Sequence, residues 1–269
     1  LLRRMTATPW RGFWSGTLAT ALLQSSTALT VMAVSFVDSG FISFQNALGL
    51  ILGSNIGTTI TTQLLALPIE PLLPYALLLG GLGYLFLPHR WRYLALSCLG
   101  LSMLFLALNF LESGMAPLAE LDWVQEILHR LGDNHFQGIL AGTALSALLH
   151  SSAATTGIVM VLAAEGWLTL PTAIAFILGA NIGTCVTALL ASLATNRAAQ
   201  KVAIFHVLLN IFGAFLFFPF LKPFAFILEL IGGPVSFQIA NAHTLFNVIS
   251  SLIALPLLPA AVRLLDRIR

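Results

Sequence analysis

The sequence predicts an all-α membrane protein with an inverted-topology repeat, two re-entrant hairpins and broken transmembrane helices. Three observations support this fold class. The chain of 269 residues is 58% hydrophobic and only 8% charged, whereas charged residues make up about 25% of an ordinary soluble domain. Its apolar residues form stretches long enough for membrane helices. Two of those stretches carry the same polar motifs, 126 residues apart.

Eight apolar stretches run along the chain, with short polar segments between them. They cover residues 13–37, 40–67, 72–88, 93–111, 138–163, 168–194, 202–221 and 238–260. Because a spanning helix needs about 20 residues, six of these stretches are predicted to cross the membrane. The stretches 13–37 and 138–163 each contain a Ser-Ser pair near the middle. We predict that each forms a hairpin that enters and leaves on the same side, with its tip buried in protein or facing water.

Charged residues determine the predicted orientation. With the N-terminus inside, ten of the twelve Lys and Arg residues lie on the cytoplasmic side, and eight of the ten Asp and Glu residues lie outside. Short cytoplasmic loops of membrane proteins carry an excess of Lys and Arg. We therefore predict a multi-pass protein of the cell membrane with both termini in the cytoplasm.

The polar motifs belong to an internal repeat. A shift of 126 residues, without a gap, superimposes identical motifs in the two copies: Gly16-Thr17 and Gly142-Thr143, Ser25-Ser26 and Ser151-Ser152, Gly40 and Gly166, and Asn55-Ile56-Gly57-Thr58 and Asn181-Ile182-Gly183-Thr184. Three predicted crossings separate the copies, and an odd number inverts the second copy. Inverted repeats with hairpins are typical of secondary transporters, whose sites form where the halves meet.

The repeat divides the chain into three parts. Residues 1–112 are the predicted first inverted repeat, with a hairpin, a broken helix and two transmembrane helices. Residues 113–137 are an extracellular or periplasmic linker, and residues 138–269 are the second repeat. Within the linker, residues 118–131 have helical apolar spacing, which predicts a helix on the membrane surface.

Each copy contains two polar clusters with suitable chemistry for ions. The first is the hairpin tip, QSST at residues 24–27 or HSS at residues 150–152, and the second is GSNIGTT at 53–59 or GANIGTC at 179–185. Glycines on both sides of Asn55 and Asn181 predict an interrupted helix. An interruption frees backbone groups, hydroxyls can donate to an oxyanion, and amide oxygens suit a hard monovalent cation.

The predicted site contains no fixed positive charge. None of the eight apolar stretches contains Lys or Arg, and a helix terminus supplies only about half a charge. An anion that leaves water for such a site needs a bound cation beside it. This favours obligatory coupling of an anion to sodium.

Three histidines lie within the apolar stretches. His150 takes the place of Gln24, while His206 and His243 begin the similar runs HVLLN and HTLFN, each with an Asn four residues later. For His206 and His243 we favour a neutral ring bonded to an Asn or a carbonyl over a proton-sensitive role. For His150 both interpretations stay open.

The composition excludes several other classes. There is no catalytic constellation, Walker-type glycine loop or metal-ligand spacing, so we predict a protein that is not an enzyme and has no cofactor beyond sodium as co-substrate. No basic patch for nucleic acid is present. Cys98 and Cys185 lie in apolar segments and are interpreted as packing residues.

The motif pairs QSST with GSNIGTT and HSSA with GANIGTC resemble those of the type II sodium/phosphate cotransporter family, especially its bacterial relatives. The resemblance implies sodium-coupled symport of inorganic phosphate by alternating access, in the bacterial inner membrane. It implies phosphate contacts at Ser25, Ser26, Thr27, Ser151 and Ser152. It implies sodium or ion contacts at Gln24, Asn55, Thr58, Thr59, Asn181 and Thr184. His150 departs from the glutamine of the family motif and is the candidate for proton coupling.

Three alternatives stay open at this stage. A transporter of the same build could carry another small anion or use protons. A non-transporting scaffold or phosphate-sensing protein would use the polar clusters as packing seams. A channel fits duplicated hairpins less well. The expected partners are phosphate, sodium and the lipid bilayer, whereas sodium stoichiometry, a homo-oligomer and a cytoplasmic domain after Arg269 stay open.

Overall fold

The computed structural model describes residues 2–119 and 121–267, and every regular element in these ranges is a helix. The prediction of an all-α membrane protein is therefore confirmed. The helices are α1 (Leu2–Met5), α2 (Pro9–Leu23), α3 (Ser26–Asp38), α4 (Phe44–Leu65), α5 (Leu73–Phe86), α6 (His89–Ala119), α7 (Asp122–Asp133), α8 (His135–Leu149), α9 (Ser152–Ala164), α10 (Leu170–Gly183), α11 (Cys185–Ser192), α12 (Arg197–Phe217), α13 (Leu221–Ile231) and α14 (Val235–Asp266), with 3₁₀ turns at Glu70–Leu72 and Phe218–Phe220.

Helices α2 and α3 form the first predicted hairpin. Pro9 occupies the start of α2, where its missing N–H costs nothing, and the Thr8 hydroxyl caps this end by accepting from the N–H of Arg11. The helix ends because Gln24 adopts the left-handed conformation, with φ of 54°. The hydroxyl oxygen of Ser25 then accepts from the N–H of Ala28 and starts α3.

Helices α8 and α9 form the second hairpin with the same local structure. His150 is left-handed with φ of 53°, and Ser151 caps α9 by accepting from the N–H of Ala154. The bounds of both arms are those of α2 and α3 shifted by 126 residues. At about 1.5 Å per residue, arms of 15 and 13 residues are about 20 Å long. They are too short for the hydrocarbon core of about 30 Å, as a re-entrant hairpin requires.

Glycines hold the first arm of each hairpin against the following long helix. A Cβ on Gly53 of α4 would lie 1.9 Å from the carbonyl oxygen of Phe13 on α2, and one on Gly16 would lie 2.3 Å from that of Leu50. In the second copy, a Cβ on Gly179 would lie 2.0 Å from the carbonyl oxygen of Ile139. Such close backbone contact between helices needs small residues.

The prediction of an interrupted helix is wrong in the first copy. α4 continues from Phe44 to Leu65 through Asn55. In the second copy Thr184 separates α10 from α11, but its dihedral angles stay helical and its N–H still donates to the carbonyl of Ala180. Glycine costs a helix about 1 kcal/mol relative to alanine. At Gly53 this cost is offset by the contact with α2, which only a residue without a Cβ can make.

Four helical segments among the described residues are long and apolar enough to cross a membrane: His89–Gly114, Leu170–Ser192, Arg197–Ile231 and Val235–Asp266. Six crossings were predicted. The two remaining predicted crossings are α4 and α5. α4 has 22 residues, which is long enough to span, but its sequence is more polar, and α5 has only 14 residues. The predicted linker at 113–137 contains the end of α6, all of α7 and the start of α8.

The long helices α12 and α14 pack between the two copies. One apolar core surrounds α10 and includes Phe217 and Phe246, and a second surrounds α4 and includes Phe205 and Leu255. Both cores therefore draw residues from α12 and from α14. These two helices bring buried polar side chains to the motifs of both repeats.

Candidate functional site

The two hairpin tips meet. The hydroxyl of Thr27, in the first turn of α3, donates to the backbone carbonyl of His150 at 3.3 Å. The same hydroxyl lies 3.4 Å from that of Thr184, at the interruption of the second copy. Residues separated by more than 120 positions in the sequence are thus in direct contact, and they are polar residues of both repeats.

The Ser-Ser pairs flank this contact. Ser26 immediately precedes Thr27, and Ser151 immediately follows His150, so each pair is next to the point where the tips touch. Ser26 and Ser152 begin α3 and α9 and are buried. Ser25 and Ser151 accept a backbone hydrogen bond through the hydroxyl oxygen, which leaves the hydroxyl hydrogen of each free to donate.

Each left-handed tip residue is bonded to a threonine outside its hairpin, on α4 in the first copy and on α11 in the second. The Thr61 hydroxyl donates to Oε1 of Gln24 at 2.8 Å, and Nδ1 of His150 lies 2.9 Å from the Thr187 hydroxyl. Thr61 and Thr187 are themselves 126 residues apart. His150 therefore takes the place of Gln24 and bonds to the threonine at the equivalent position of its own copy. Sequence reasoning missed both threonines, although the repeat register contained the signal.

Asn55 contacts α12. Its Nδ2 donates to Oδ1 of Asn210 at 3.0 Å, and its Oδ1 lies 3.2 Å from Nε2 of His206. All three side chains are buried. The predicted hydrogen bond between a histidine and an asparagine is thus present, between a motif of the first copy and α12.

Asn181 faces α14 in a looser arrangement. Its Oδ1 is 3.5 Å from Nε2 of His243, and its Nδ2 donates to the carbonyl of Ile177 in its own helix at 3.0 Å. Nδ1 of His243 lies 3.0 Å from the hydroxyl of Thr62 on α4. His243 is therefore in contact with both copies.

Two hydroxyls predicted to bind an ion donate hydrogen bonds to backbone carbonyls of their own helix. Thr58 donates to the carbonyl of Ser54 at 3.0 Å, and Thr59 donates to that of Ile56 at 2.8 Å. Thr184, the counterpart of Thr58, instead faces Thr27 across the copies. The structure thus brings Thr27, His150 and Thr184 together and leaves Thr58 and Thr59 bonded locally.

The residues at the tip contact can serve an oxyanion and a cation, and none carries a fixed charge. Hydroxyls and the N-termini of α3 and α9 attract an anion. The carbonyl of His150 and the hydroxyl oxygens of Thr27 and Thr184 can bind a cation. Both functions are available within one small region at the meeting point of the two repeats.

Comparison with known proteins gives one family. The model of the Na+/Pi-cotransporter family matches residues 1–113 and 109–233. An uncharacterised protein of Bacillus subtilis, YqeW, is 35% identical over 93% of this chain and 81% of its own length. No solved structure matches the chain.

Two named groups of relatives concern phosphate. YjbB of Salmonella typhimurium, a protein provisionally named for inorganic phosphate export, is 28% identical over 95% of this chain and 47% of its own length. The chain thus spans about half the length of that relative. The rabbit (Oryctolagus cuniculus) sodium-dependent phosphate transport protein 2A is 44% identical over 61 residues, 23% of this chain and 10% of its own length.

Proposed function

The chain belongs to the Na+/Pi-cotransporter family, and we propose that it moves inorganic phosphate together with sodium across the cell membrane by alternating access. The contact between Thr27 and His150 carries this proposal, because it joins the serine-bearing tips of the two repeats. Phosphate would bind between the tips, and sodium would bind beside it.

The hairpin caps support a phosphate site. The hydroxyls of Ser25 and Ser151 use an oxygen lone pair for the cap and keep the hydrogen for a phosphate oxygen. Ser26 and Ser152 bring a further hydroxyl each at a helix N-terminus, where the backbone N–H groups favour an anion. Four hydroxyl donors from two helix ends suit a tetrahedral oxyanion.

The spacing of the oxygen atoms supports a cation. Thr27 Oγ1 lies 3.3 Å from the His150 carbonyl oxygen and 3.4 Å from Thr184 Oγ1, whereas hydroxyl hydrogen bonds average about 2.8 Å. Oxygens that bind one ion at about 2.4 Å, a distance typical for calcium, are about 3.4 Å apart when they meet at a right angle. Sodium is close to calcium in size. We therefore assign Thr27, for which the family resemblance implied a phosphate contact, to the cation, and the serine pairs to phosphate.

The surroundings of the hairpin ends support inverted repeats. Asp38, at the open end of the first hairpin, accepts from the N–H of Asn196 at 2.7 Å, and Lys201 one turn later pairs with Asp266 at the end of α14. The open end of the second hairpin shares a cavity with Ser236 at the beginning of α14. The 32 residues of α14 span about 48 Å, so the hairpins would open towards opposite sides.

Export is a second candidate direction. The relatives that cover most of this chain include YjbB, whose name refers to phosphate export. A symporter moves its substrate along the prevailing sodium gradient, and the same site would serve either direction. Direction is therefore a question of the coupled ion and its gradient, and it is measured separately from substrate identity.

Transport assays test the proposal. The purified chain in proteoliposomes is expected to accumulate radiolabelled phosphate under an inward sodium gradient. It should not do so under potassium or proton gradients, and sulfate and small carboxylates should not compete. Accumulation driven only by a proton gradient would show that protons, not sodium, are the coupled ion. Equal uptake of another anion would show that phosphate is not the specific substrate. No transport under any gradient would favour a non-transporting protein.

Variants test the site within the same assay. Ser26→Ala and Ser152→Ala are each expected to abolish sodium-dependent uptake without loss of expression, because each removes a donor to phosphate. Ser35→Ala is the matched control, since its hydroxyl donates to the carbonyl of Val31 within α3, and it should transport normally. Wild-type uptake by Ser152→Ala would contradict the site assignment.

A further inference from the structure

Two buried His-Asn pairs lie outside the phosphate contacts. His206 and Asn210 on α12, and His243 and Asn247 on α14, are four residues apart and so share one helix face. Each histidine is directed at the motif asparagine of one repeat. We propose that His206 and His243 are positioning residues of the transport site, which hold these asparagines in a defined orientation. This inference rests on the proposed function.

The hydrogen-bond network of the first pair fixes the orientation of Asn55. Nδ2 of Asn210 donates to the carbonyl of His206 at 3.0 Å and lies 3.2 Å from the thiol of Cys185. Its Oδ1 therefore accepts from Nδ2 of Asn55 at 3.0 Å. Oδ1 of Asn55 must then accept from Nε2 of His206 at 3.2 Å. Nε2 of His206 therefore carries a hydrogen.

This network leaves one lone pair of Oδ1 and one N–H of Nδ2 of Asn55 available. An amide oxygen has two lone pairs, and His206 occupies one of them. The remaining lone pair has a fixed direction because both ends of the amide are held. A partner that orients a ligand in this way contributes strongly to ion affinity, typically about 10-fold to 100-fold. His206 would thus act on sodium through Asn55, without contacting the ion.

The second network is open by comparison. Nδ2 of Asn181 donates to the carbonyl of Ile177, and Oδ1 of Asn247, the counterpart of Asn210, is buried with no hydrogen-bond partner in the part of the chain that the structure describes. The contact from His243 to Asn181 is 3.5 Å, longer than an ordinary N–H···O bond of about 2.9 Å. Asn181 is therefore held less firmly than Asn55. His206 should matter more than His243 for the orientation of a motif asparagine.

The two histidines also differ in the hydrogen bonding of Nδ1. Nδ1 of His243 is bonded to Thr62, whereas the residue at the same place in the second copy is Ala188, and Nδ1 of His206 has no partner. Among the described residues, the ring of His206 is hydrogen-bonded through Nε2 to Asn55 and has no bond at Nδ1.

Two substitutions of His206 that place the same amide group at different side-chain lengths test the inference. His206→Gln places an amide nitrogen about where Nε2 lies and can still donate to Asn55, whereas His206→Asn is too short to do so. In proteoliposomes, His206→Asn is expected to raise the half-saturating sodium concentration for phosphate uptake about tenfold. His206→Gln should stay close to wild type, and His243→Asn should cause a smaller rise than His206→Asn.

The control separates positioning from stability. Ser251→Ala removes a buried interhelical bond to the carbonyl of Leu52 without touching the asparagines. It should lower thermal stability and leave the half-saturating sodium concentration unchanged. If the role of His206 is purely structural, His206→Asn would behave like Ser251→Ala. Its thermal stability and maximal uptake would fall while the half-saturating sodium concentration stays unchanged, and this result would overturn the inference.

Failure of the proposed function has a different signature. A wild-type protein that shows no sodium-dependent phosphate uptake would refute the proposed function. Normal sodium dependence in the wild type, together with an unchanged sodium response in His206→Asn, would refute only the positioning role. A double-mutant cycle between His206→Asn and Asn55→Ala in thermal unfolding adds a transport-independent readout. The inference expects coupling between the two positions, and additive losses would contradict it.

Discussion

Gly53 offers the most direct test of how the repeat motif is built. A Cβ at this position would lie 1.9 Å from the carbonyl oxygen of Phe13 and 2.6 Å from the backbone nitrogen of Thr17. Ordinary contact begins near 3.4 Å, so α2 and α4 must separate by about 1.5 Å to accommodate Gly53→Ala. Both obstructing atoms are backbone atoms and cannot move as a side chain would.

The expected cost follows from this overlap. Overpacking of a well-packed interface costs about 1–3 kcal/mol or more, and 1 kcal/mol lowers the melting temperature of a chain of this size by roughly 2–4 °C. Gly53→Ala should therefore melt several degrees below the wild type in detergent. Gly81→Ala is the matched control, because nothing lies within 4 Å of its Cβ position, and alanine favours helix over glycine.

The outcome separates two roles for the motif glycine. If Gly53 is a close-contact residue, Gly53→Ala loses thermal stability and Gly81→Ala does not. If Gly53 instead permits a break in the helix during transport, Gly53→Ala would keep the wild-type melting temperature while phosphate uptake falls. A variant with wild-type stability would refute the packing argument.

Two further substitutions test the tip contact. His150→Gln should retain sodium-dependent phosphate uptake, because Gln24 occupies the same position beside Thr61 that His150 has beside Thr187; loss of uptake would indicate that the imidazole itself takes part in coupling. Thr27→Val should raise the half-saturating sodium concentration, since it removes the oxygen that faces both His150 and Thr184, and an unchanged sodium response would remove Thr27 from the cation site.

The hairpins were predictable from the sequence because local interactions determine them. The tips are formed by a left-handed residue followed by a capping serine, Gln24 and Ser25 or His150 and Ser151. Serine is a strong N-cap. Because the Ser-Ser pair recurs 126 residues later, the sequence indicated two equivalent hairpins. The bounds of α2 and α3 recur in α8 and α9 for this reason.

The shape of the first long helix was not predictable in the same way. Glycines around Asn55 suggested an interrupted helix, but Gly53 and Gly57 pack against α2, and α4 is continuous. Glycine in a membrane helix serves either as a point of flexibility or as a point of close contact. The choice depends on a neighbouring helix, which a single sequence does not show.

The partners of the polar residues also required coordinates. The sequence placed His206 and Asn210 on one helix face, yet it contained no sign that Asn55 lies opposite them. Thr61 was detectable in the repeat alignment, because Thr187 follows at the same interval. Its bond to Gln24 depends on the path of the hairpin. Long-range contacts of this kind arise from tertiary packing and have no local signature.

Phosphate binding to the purified chain tests the central claim that both hairpin tips form one site. Equilibrium binding should give one phosphate per chain in sodium and none in potassium. Ser26→Ala and Ser152→Ala should each abolish binding completely, since Ser26 and Ser152 lie within two residues of Thr27 and His150, which are in contact. Two phosphates per chain, with one lost in each variant, would show separate sites and contradict the account.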